Sequence, residues 1–317
     1  MMRYSLERVL QAVPTLLLLS IISFVLIHVV PGGPAVMMLG DKATPALIAQ
    51  INRSLGLNKP LWMQYLIWLG QLVRGHLGYA YTYHQSVVSL ILTNLPRTLI
   101  LVVTAIAISH VLAVIVGIYQ AVHRDQVVDH ILTALLYFLY AMPTFWLGVL
   151  MVSTFSITLG WFPSGGLYNP LLAHPTVGSY LDHMVLPATV LIIGSVAGWG
   201  RYMRSTMAET LVQDYIRTAR AKGLSERAVL VHHALKNSLL PLITLVGMSL
   251  PSLFSGALII EIIFDYPGMG LLFWNAAQER DYPILLGIVM MVGVLTILGN
   301  LLADILYAVV DPRIQYH

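Results

Sequence analysis

The sequence predicts an all-α membrane protein with six transmembrane helices and both termini in the cytoplasm, and three observations carry that reading. The 317 residues are 58% hydrophobic and only 10% charged, with a mean hydropathy of +0.80, whereas about a quarter of the residues in a soluble globular domain are charged. The apolar residues collect in runs which, at about 1.5 Å per residue, can cross roughly 30 Å of hydrocarbon. The cations are unevenly divided: Lys or Arg at 3, 8, 124, 201, 204, 217, 220, 222, 227, 236 and 313 falls in segments assigned to the inside. Only 42, 53, 59, 74, 97 and 280 fall outside, although the outer segments are longer. That bias orients the chain.

The net charge of +3 flanks apolar runs and forms no basic stripe, so it suits membrane lipid headgroups and not nucleic acid. The chain has no cysteine, which excludes disulfide frameworks, zinc–thiolate sites and iron–sulfur clusters.

Residues 1–30 make the first span. Arg3 and Arg8 precede an apolar run over 9–30, longer than a signal-peptide core. Pro31, Gly32, Gly33 and Pro34 follow without a small-x-small cleavage site, so an uncleaved helix is expected. Residues 31–95 form an extracytoplasmic segment. Thr44 and Pro45 pair as N-cap and first helical residue, Leu47, Ile48, Ile51 and Leu55 make one apolar face, and Gly56 stops the helix. Pro60 starts another helix through Leu61, Tyr65, Trp68, Leu69 and Leu72. Gly75 and Gly78 end it before a loop holding Tyr79, Tyr81 and Tyr83. Two readings stand for this segment: an interfacial cover over the outer face, or a docking surface for a partner.

Residues 96–310 form a five-helix core. Its first helix spans about 98–121 and ends at an inner loop of His123, Arg124 and Asp125. The next spans 131–159, where Met142-Pro143 introduces a kink. An outer loop starts at Trp161. The following span, 184–202, carries Gly194 and Gly198 at a spacing that permits close helix approach. The last two spans cover 239–260 and 284–310, separated by an outer turn at 261–270 and an interfacial helix at 271–278. A cytoplasmic tail, 311–317, closes the chain.

The remaining segment, 203–238, is the long polar stretch between two apolar spans. Its cations Arg204, Arg217, Arg220, Lys222, Arg227 and Lys236 would cost about 15–20 kcal/mol at bilayer depth, at about 2.5–3.5 kcal/mol each. The segment is therefore expected in water. Ser205 or Thr206 caps a first helix bearing Met207, Leu211, Tyr215 and Ile216, Gly223 supplies a left-handed stop, and Ser225 caps a second helix that begins with Glu226. Such a hairpin transmits rigid-body motion from a partner to a span.

No catalytic set emerges. The eleven histidines are scattered, with His232-His233 the one adjacent pair and no HExxH spacing. His28 and His110 lie in spans and read as packed imidazoles or as functional groups. Asp304, near Asn300 and Asp311, reads as a helix-packing acid or as part of a path or gate. No span holds a central pair of acids to couple ion flow, and no Walker A sequence is present, so the driving energy comes from elsewhere unless the chain is a passive channel.

Several motifs resemble one family in order along essentially the whole chain: Asn58-Lys59-Pro60 through Gln64-Tyr65, Met142-Pro143-Thr144-Phe145-Trp146-Leu147-Gly148, Leu159-Gly160-Trp161-Phe162-Pro163, Ala219-Arg220-Ala221-Lys222-Gly223-Leu224-Ser225, 261–270, and Val310-Asp311-Pro312-Arg313. They are similar to the dipeptide/oligopeptide/nickel branch of ABC-importer permeases, in the subunit type with a large outer segment after the first span. The resemblance implies a type I ABC-importer permease fold in the cytoplasmic (inner) membrane of a bacterium or archaeon. It implies a second homologous permease subunit, two cytoplasmic ATPases that bind the ATP and magnesium, and an extracytoplasmic solute-binding protein as partners, with no cofactor, catalytic residue or metal on this chain. The implied function is import of peptides or a similar small solute by alternating access.

The family's coupling loop then falls on Asp214, Arg217, Thr218, Ala219, Arg220, Ala221, Lys222, Gly223, Leu224 and Ser225. Registered on Gly223, the Glu-Ala-Ala of the general pattern becomes Arg217-Thr218-Ala219. The glycine is kept and the acid is lost, so a salt bridge from that acid to the ATPase does not carry over, and Arg217 or Asp214 is expected to make a different contact. A translocation path is placed near Ser249, Ser252 and Gly256, a small face beside Pro251 that packing explains equally well. The rival readings are a stand-alone channel or secondary carrier and, from another class, a membrane enzyme built on His and Asp.

Overall fold

A computed structural model describes residues 2–29, 35–36, 39, 43–54, 56–239, 242 and 257–310, without the side chains of 2–10, 27 and 302–310. Ser249, Pro251, Ser252, Gly256 and Asp311, and the side chain of Asp304, lie outside the described residues. Among the described residues there is no strand, only an isolated antiparallel bridge between Tyr79 and Ser86. The helices are α1 (Met2–Val29), α2 (Pro45–Ser54), α3 (Leu61–Val73), α4 (Val87–Val122), α5 (Val127–Ala141), α6 (Thr144–Met151), α7 (Val177–Leu211), α8 (Asp214–Ala221), α9 (Glu226–Ala228), α10 (257–263), α11 (Met269–Gln278) and α12 (Tyr282–Val310). Among these residues, α4, α7 and Tyr282–Leu301 of α12 are each long and apolar enough to cross a membrane, and the bent pair α5–α6 is a fourth if counted as one span. In α1 the apolar stretch within this description is Gln11–Leu26.

The chain divides into two compact units. One joins residues up to Thr98 with Pro267–Leu298. Here α3 packs on α1 through Tyr65 and Trp68, whose ring centroids lie 5.4 and 5.7 Å from Phe24, and through a 2.8 Å hydrogen bond between the Ser20 and Tyr65 hydroxyls. His28 stacks on Phe24 at 4.0 Å, and its Nδ1 lies 2.8 Å from the Phe24 carbonyl, as expected of a packed imidazole. The expected caps are in place: Thr44 Oγ1 accepts the Leu47 N–H, and Gly56 has φ +69°. A second core joins Val87, Leu90 and Ile91 of α4 to Met269, Leu272 and Ala276 of α11 and to Ile284 and Ile288 of α12. The tyrosine loop is pinned by the fully buried Asp281, which accepts the Thr82 N–H at 2.9 Å. Burial, with Asp281 adding to it, pushes the Tyr81 hydroxyl up to about 12.

The other unit holds Leu99–Tyr266. Its core gathers Leu101 and Ala105 of α4, Leu147 of α6, Leu186, Val190 and Leu191 of α7, and Ile260 and Phe264 around the end of α10. Helices expected from hydropathy to begin near 98 and to cover 184–202 run instead over Val87–Val122 and Val177–Leu211, because helix continues past the hydrocarbon-thick stretch that hydropathy detects. The expected kink is a 98° break between α5 and α6. Met142 (ψ 124°) and Pro143 (ψ 131°) both leave helical geometry, since a proline excludes its predecessor from the α region and lacks an N–H of its own. A π-helical turn, Val152–Thr158, continues α6. Farther on, Gly165 lies so close to the Phe264 carbonyl that a Cβ would sit 2.2 Å from its oxygen, and the Gly166 N–H donates to that same oxygen at 2.8 Å.

Helix approach in this unit uses a different glycine from the expected pair. A Cβ on Gly117 of α4 would lie 2.5 Å from Met203 Cβ and 2.9 Å from the Arg204 nitrogen of α7. Gly194 faces open space, and the nearest atom to Gly198 is in the Tyr140 ring at 3.5 Å. His110 packs against Trp199 at 4.3 Å.

Candidate functional site

The polar loop begins later than expected. Ser205 and Thr206 cap nothing, because α7 runs unbroken to Leu211. Inside a helix their hydroxyls find local partners: Thr206 Oγ1 donates to the Tyr202 and Met203 carbonyls at 3.3 and 3.2 Å, and Ser205 Oγ donates to Glu209 Oε1 at 3.1 Å. The chain leaves the helix at Val212–Gln213 and re-enters it at Asp214, an acid in the first turn of α8, where the helix dipole favours negative charge.

Helix α8 ends at the predicted glycine. Gly223 has φ +77°; its N–H donates to the Arg220 carbonyl at 2.9 Å, and the Leu224 N–H donates to the Ala219 carbonyl at 3.4 Å. That pair of bonds is a Schellman stop. Nothing lies within 4 Å of a Cβ built on Gly223, so the backbone conformation alone calls for glycine. Ser225 then caps α9, accepting the Ala228 N–H at 3.4 Å. A π-helical segment, Val229–Leu235, carries α9 onward.

One face of this hairpin is fixed to the rest of its unit. Ile216 and Ala219 of α8 are buried with Val229 and Ala234 against Met203, Met207 and Ala208 of α7 and Ala121 of α4. Polar ties reinforce the apolar contact: Ser238 Oγ pairs with Thr210 Oγ1 at 2.9 Å, and Asn237 Nδ2 donates to the Tyr215 hydroxyl at 2.9 Å. The opposite face is open. Asp214, Arg217, Thr218, Arg220, Ala221, Lys222, Gly223, Leu224 and Ser225 are all exposed, whereas Ala219 is turned inward and holds the loop in place. Arg217 makes a 3.4 Å contact with Asp214 on its own helix, with side chains 72% and 96% exposed. Arg220 reaches across the glycine turn to Glu226, with bonds of 2.8 and 3.3 Å.

Arg204 departs from the expectation that all six cations of the segment lie in water. Its Nε and Nη2 donate to the two carboxylate oxygens of Asp129 at 2.6 and 2.5 Å. Asp129, in the first turn of α5, is fully buried. It also accepts the Asp125 N–H at 3.1 Å, where the chain turns through a left-handed Asp125 (φ +64°). Gln120 beside it donates to Thr133 Oγ1 at 3.0 Å. No local pattern in the sequence encodes this pair, which joins residues 75 positions apart; its one sequence signal is an acid at the start of an apolar helix. The pair places the 123–126 turn and the α7–α8 junction at the same end of the unit.

Long apolar helices joined through a helix–glycine–helix loop are the architecture of a multi-pass membrane protein. Their fold is that of type I ABC importers: a chain of the MetNI methionine ABC transporter, in inward-facing conformations, superposes with a TM-score of 0.55 at 16% identity, covering 71% of this chain and 97% of that one. Residues 113–316 match the family model described as the binding-protein-dependent transport system inner membrane component, and residues 1–102 match the model of its N-terminal region. The chain belongs to this family and is a multi-pass permease subunit of an ABC importer. The oligopeptide transport system permease protein AppB of Bacillus subtilis is 40% identical over 100% of both chains. A putative peptide permease protein of Brucella suis is 42% identical over 99% of both, and the permease protein OppB of Haemophilus influenzae is 39% identical over 100% of both.

Proposed function

We propose that this permease serves ATP-driven import of peptides, paired with a second homologous permease, two cytoplasmic ATPases that carry ATP and magnesium, and an extracytoplasmic solute-binding protein. Relatives named for peptide and oligopeptide transport, matched along their full length, support the substrate class. In this reading the chain crosses a bacterial or archaeal inner membrane six times with both termini inside, as the distribution of Lys and Arg favours. Residues 1–30 form the first span, 31–95 the outer segment, 96–310 the permease core and 311–317 the tail, with the path passing Ser249, Ser252 and Gly256.

The 203–238 segment is the coupling loop, and the carrying observation is its two-faced construction. Ile216 and Ala219 fasten it to α7, while Arg217, Arg220, Lys222 and Leu224 are presented outward around Gly223. Force applied to the open face by an ATPase is delivered to α7. Because the motif acid is replaced by Arg217, the ATPase surface is expected to offer a carboxylate or a carbonyl there.

The test is Gly223→Val in the reconstituted importer with its binding protein. A left-handed β-branched residue disfavours the Schellman stop by about 1–2 kcal/mol, so peptide uptake and binding-protein-stimulated ATP hydrolysis should fall together. Uptake and stimulation at the wild-type level would refute the coupling role, and uptake without any ATPase would favour a stand-alone carrier.

A further inference from the structure

One cation in the permease core has a role that the coupling loop does not explain. Between α5 and α7 lies a half-open cavity of about 410 Å3 lined by Thr133, Tyr137, Tyr140, Arg201, Tyr202 and Ser205, with Gly198 and Arg204 beside them; Tyr137, Tyr140 and Tyr202 are exposed. A volume of this order suits a small molecule, and such sites combine aromatic walls with a few convergent polar groups. The Arg201 guanidinium carbon stands 3.9 Å from the centroid of the Tyr137 ring and 5.0 Å from that of Tyr140. At these distances the guanidinium makes cation–π contact with both rings, and an arginine held by its face keeps N–H groups for a bidentate oxyanion.

The two arginines of the cavity are in opposite situations. Arg204 is committed to Asp129. Among the described residues no carboxylate lies within ion-pair distance of Arg201. A cation within a membrane-spanning helix ordinarily pairs with an acid or faces a water-filled cavity, and here the cavity is present while no acid among the described residues pairs with it.

The direction of the side chain selects between sources of an anion. An arginine serving lipid phosphates at the end of a helix snorkels toward that end. Side chains on a helix lean toward its N-terminus, and Arg201 reaches the Tyr140 ring, which also lies 3.5 Å from a Cβ built on Gly198, nearly one turn before Arg201 in α7. At about 1.5 Å per residue these tyrosines lie about 12 and 16 Å along α5 from the Asp129 that anchors that end.

We propose that this cavity is an oxyanion station in which Arg201, in cation–π contact with Tyr137 and Tyr140, receives the carboxylate of a solute crossing the permease. The proposal rests on the importer reading above and adds to it a chemical requirement: a free carboxylate on the solute. The station neutralises that charge near the inner end of the crossing, where a bare carboxylate would otherwise face the aromatic and apolar side chains of α5 and α7, and Arg204, held by Asp129, does not compete for it.

The test is arginine-selective labelling by phenylglyoxal of the assembled importer in nanodiscs of phosphatidylcholine, read at Arg201 by peptide mass spectrometry with Arg74, exposed and outside the coupling loop, as an internal control. Millimolar N-acetyl-dialanine should slow labelling of Arg201 at least threefold and leave Arg74 unchanged, while the corresponding C-terminal amide should protect neither. Equal protection by acid and amide, or by neither, would overturn the proposal. So would a lack of labelling at Arg201, which would mean that the cavity does not admit a solute. Protection by phosphatidylglycerol and not by the free acid would assign the cation to lipid and likewise overturn it. Labelling requires neither ATP nor uptake, so its failure is distinguishable from failure of the coupling role.

Discussion

Asp129–Arg204 and Arg220–Glu226 are both two-pronged carboxylate–guanidinium pairs in the same unit, yet they belong to different environments. In the first, the carboxylate is fully buried and the arginine side chain is 28% exposed. In the second, the side chains are 42% and 64% exposed. A buried carboxylate stripped of its partner is left uncompensated, whereas an exposed one is taken up by water. The first pair therefore fixes the frame, locking the base of α5 to α7. The second closes a clasp over Gly223 that opens at little cost, which suits a surface meant to exchange its internal partners for those of another protein.

This contrast breaks most sharply at Asp129. Arg204→Met should destabilise the purified importer by about 3–5 kcal/mol in thermal unfolding, because the fully buried Asp129 carboxylate loses its counter-charge. The double change Asp129→Leu, Arg204→Met should recover most of that loss, since apolar side chains of similar volume often replace a buried pair without penalty. Gly117→Ala, which places a methyl group 2.9 Å from the Arg204 backbone nitrogen, should cost about 1–3 kcal/mol by overpacking in the same assay. At the clasp, Arg220→Ala should change stability by about 0.2–1 kcal/mol. Arg217→Ala should fall within about 0.5 kcal/mol of wild type while lowering ATP-driven uptake, so that stability and transport separate on the outward face and move together at the frame.

Local signals were legible in the sequence, and distant pairings were not. Thr44, Gly56, Gly223 and Ser225 were readable because a cap or a left-handed stop is decided by a few adjacent residues. Ser205 and Thr206 misled for the same reason: their hydroxyls suit a cap, but within the unbroken α7 they bond to the preceding turn or to Glu209. The proline after Met142 announced a break in α5–α6, while the 98° angle follows from two successive residues leaving helical geometry. The Asp129–Arg204 pair and the close approach at Gly117 depend on which helices meet, and no local pattern encodes that. At the loop, the sequence identified the outward residues together with Ala219. Only packing separated Ala219, which holds the hairpin, from Arg217, Arg220 and Lys222, which are left open.

The central claim is that this open face meets an ATPase, and the absence of cysteine in the chain makes a direct measurement simple. Lys222→Cys, carried in a complete and transport-competent importer, should form a covalent adduct with the ATPase subunit through a short cysteine-to-amine cross-linker, identified by mass. An importer that still transports and yields no ATPase adduct from that position, or an adduct with the solute-binding protein instead, would contradict the account.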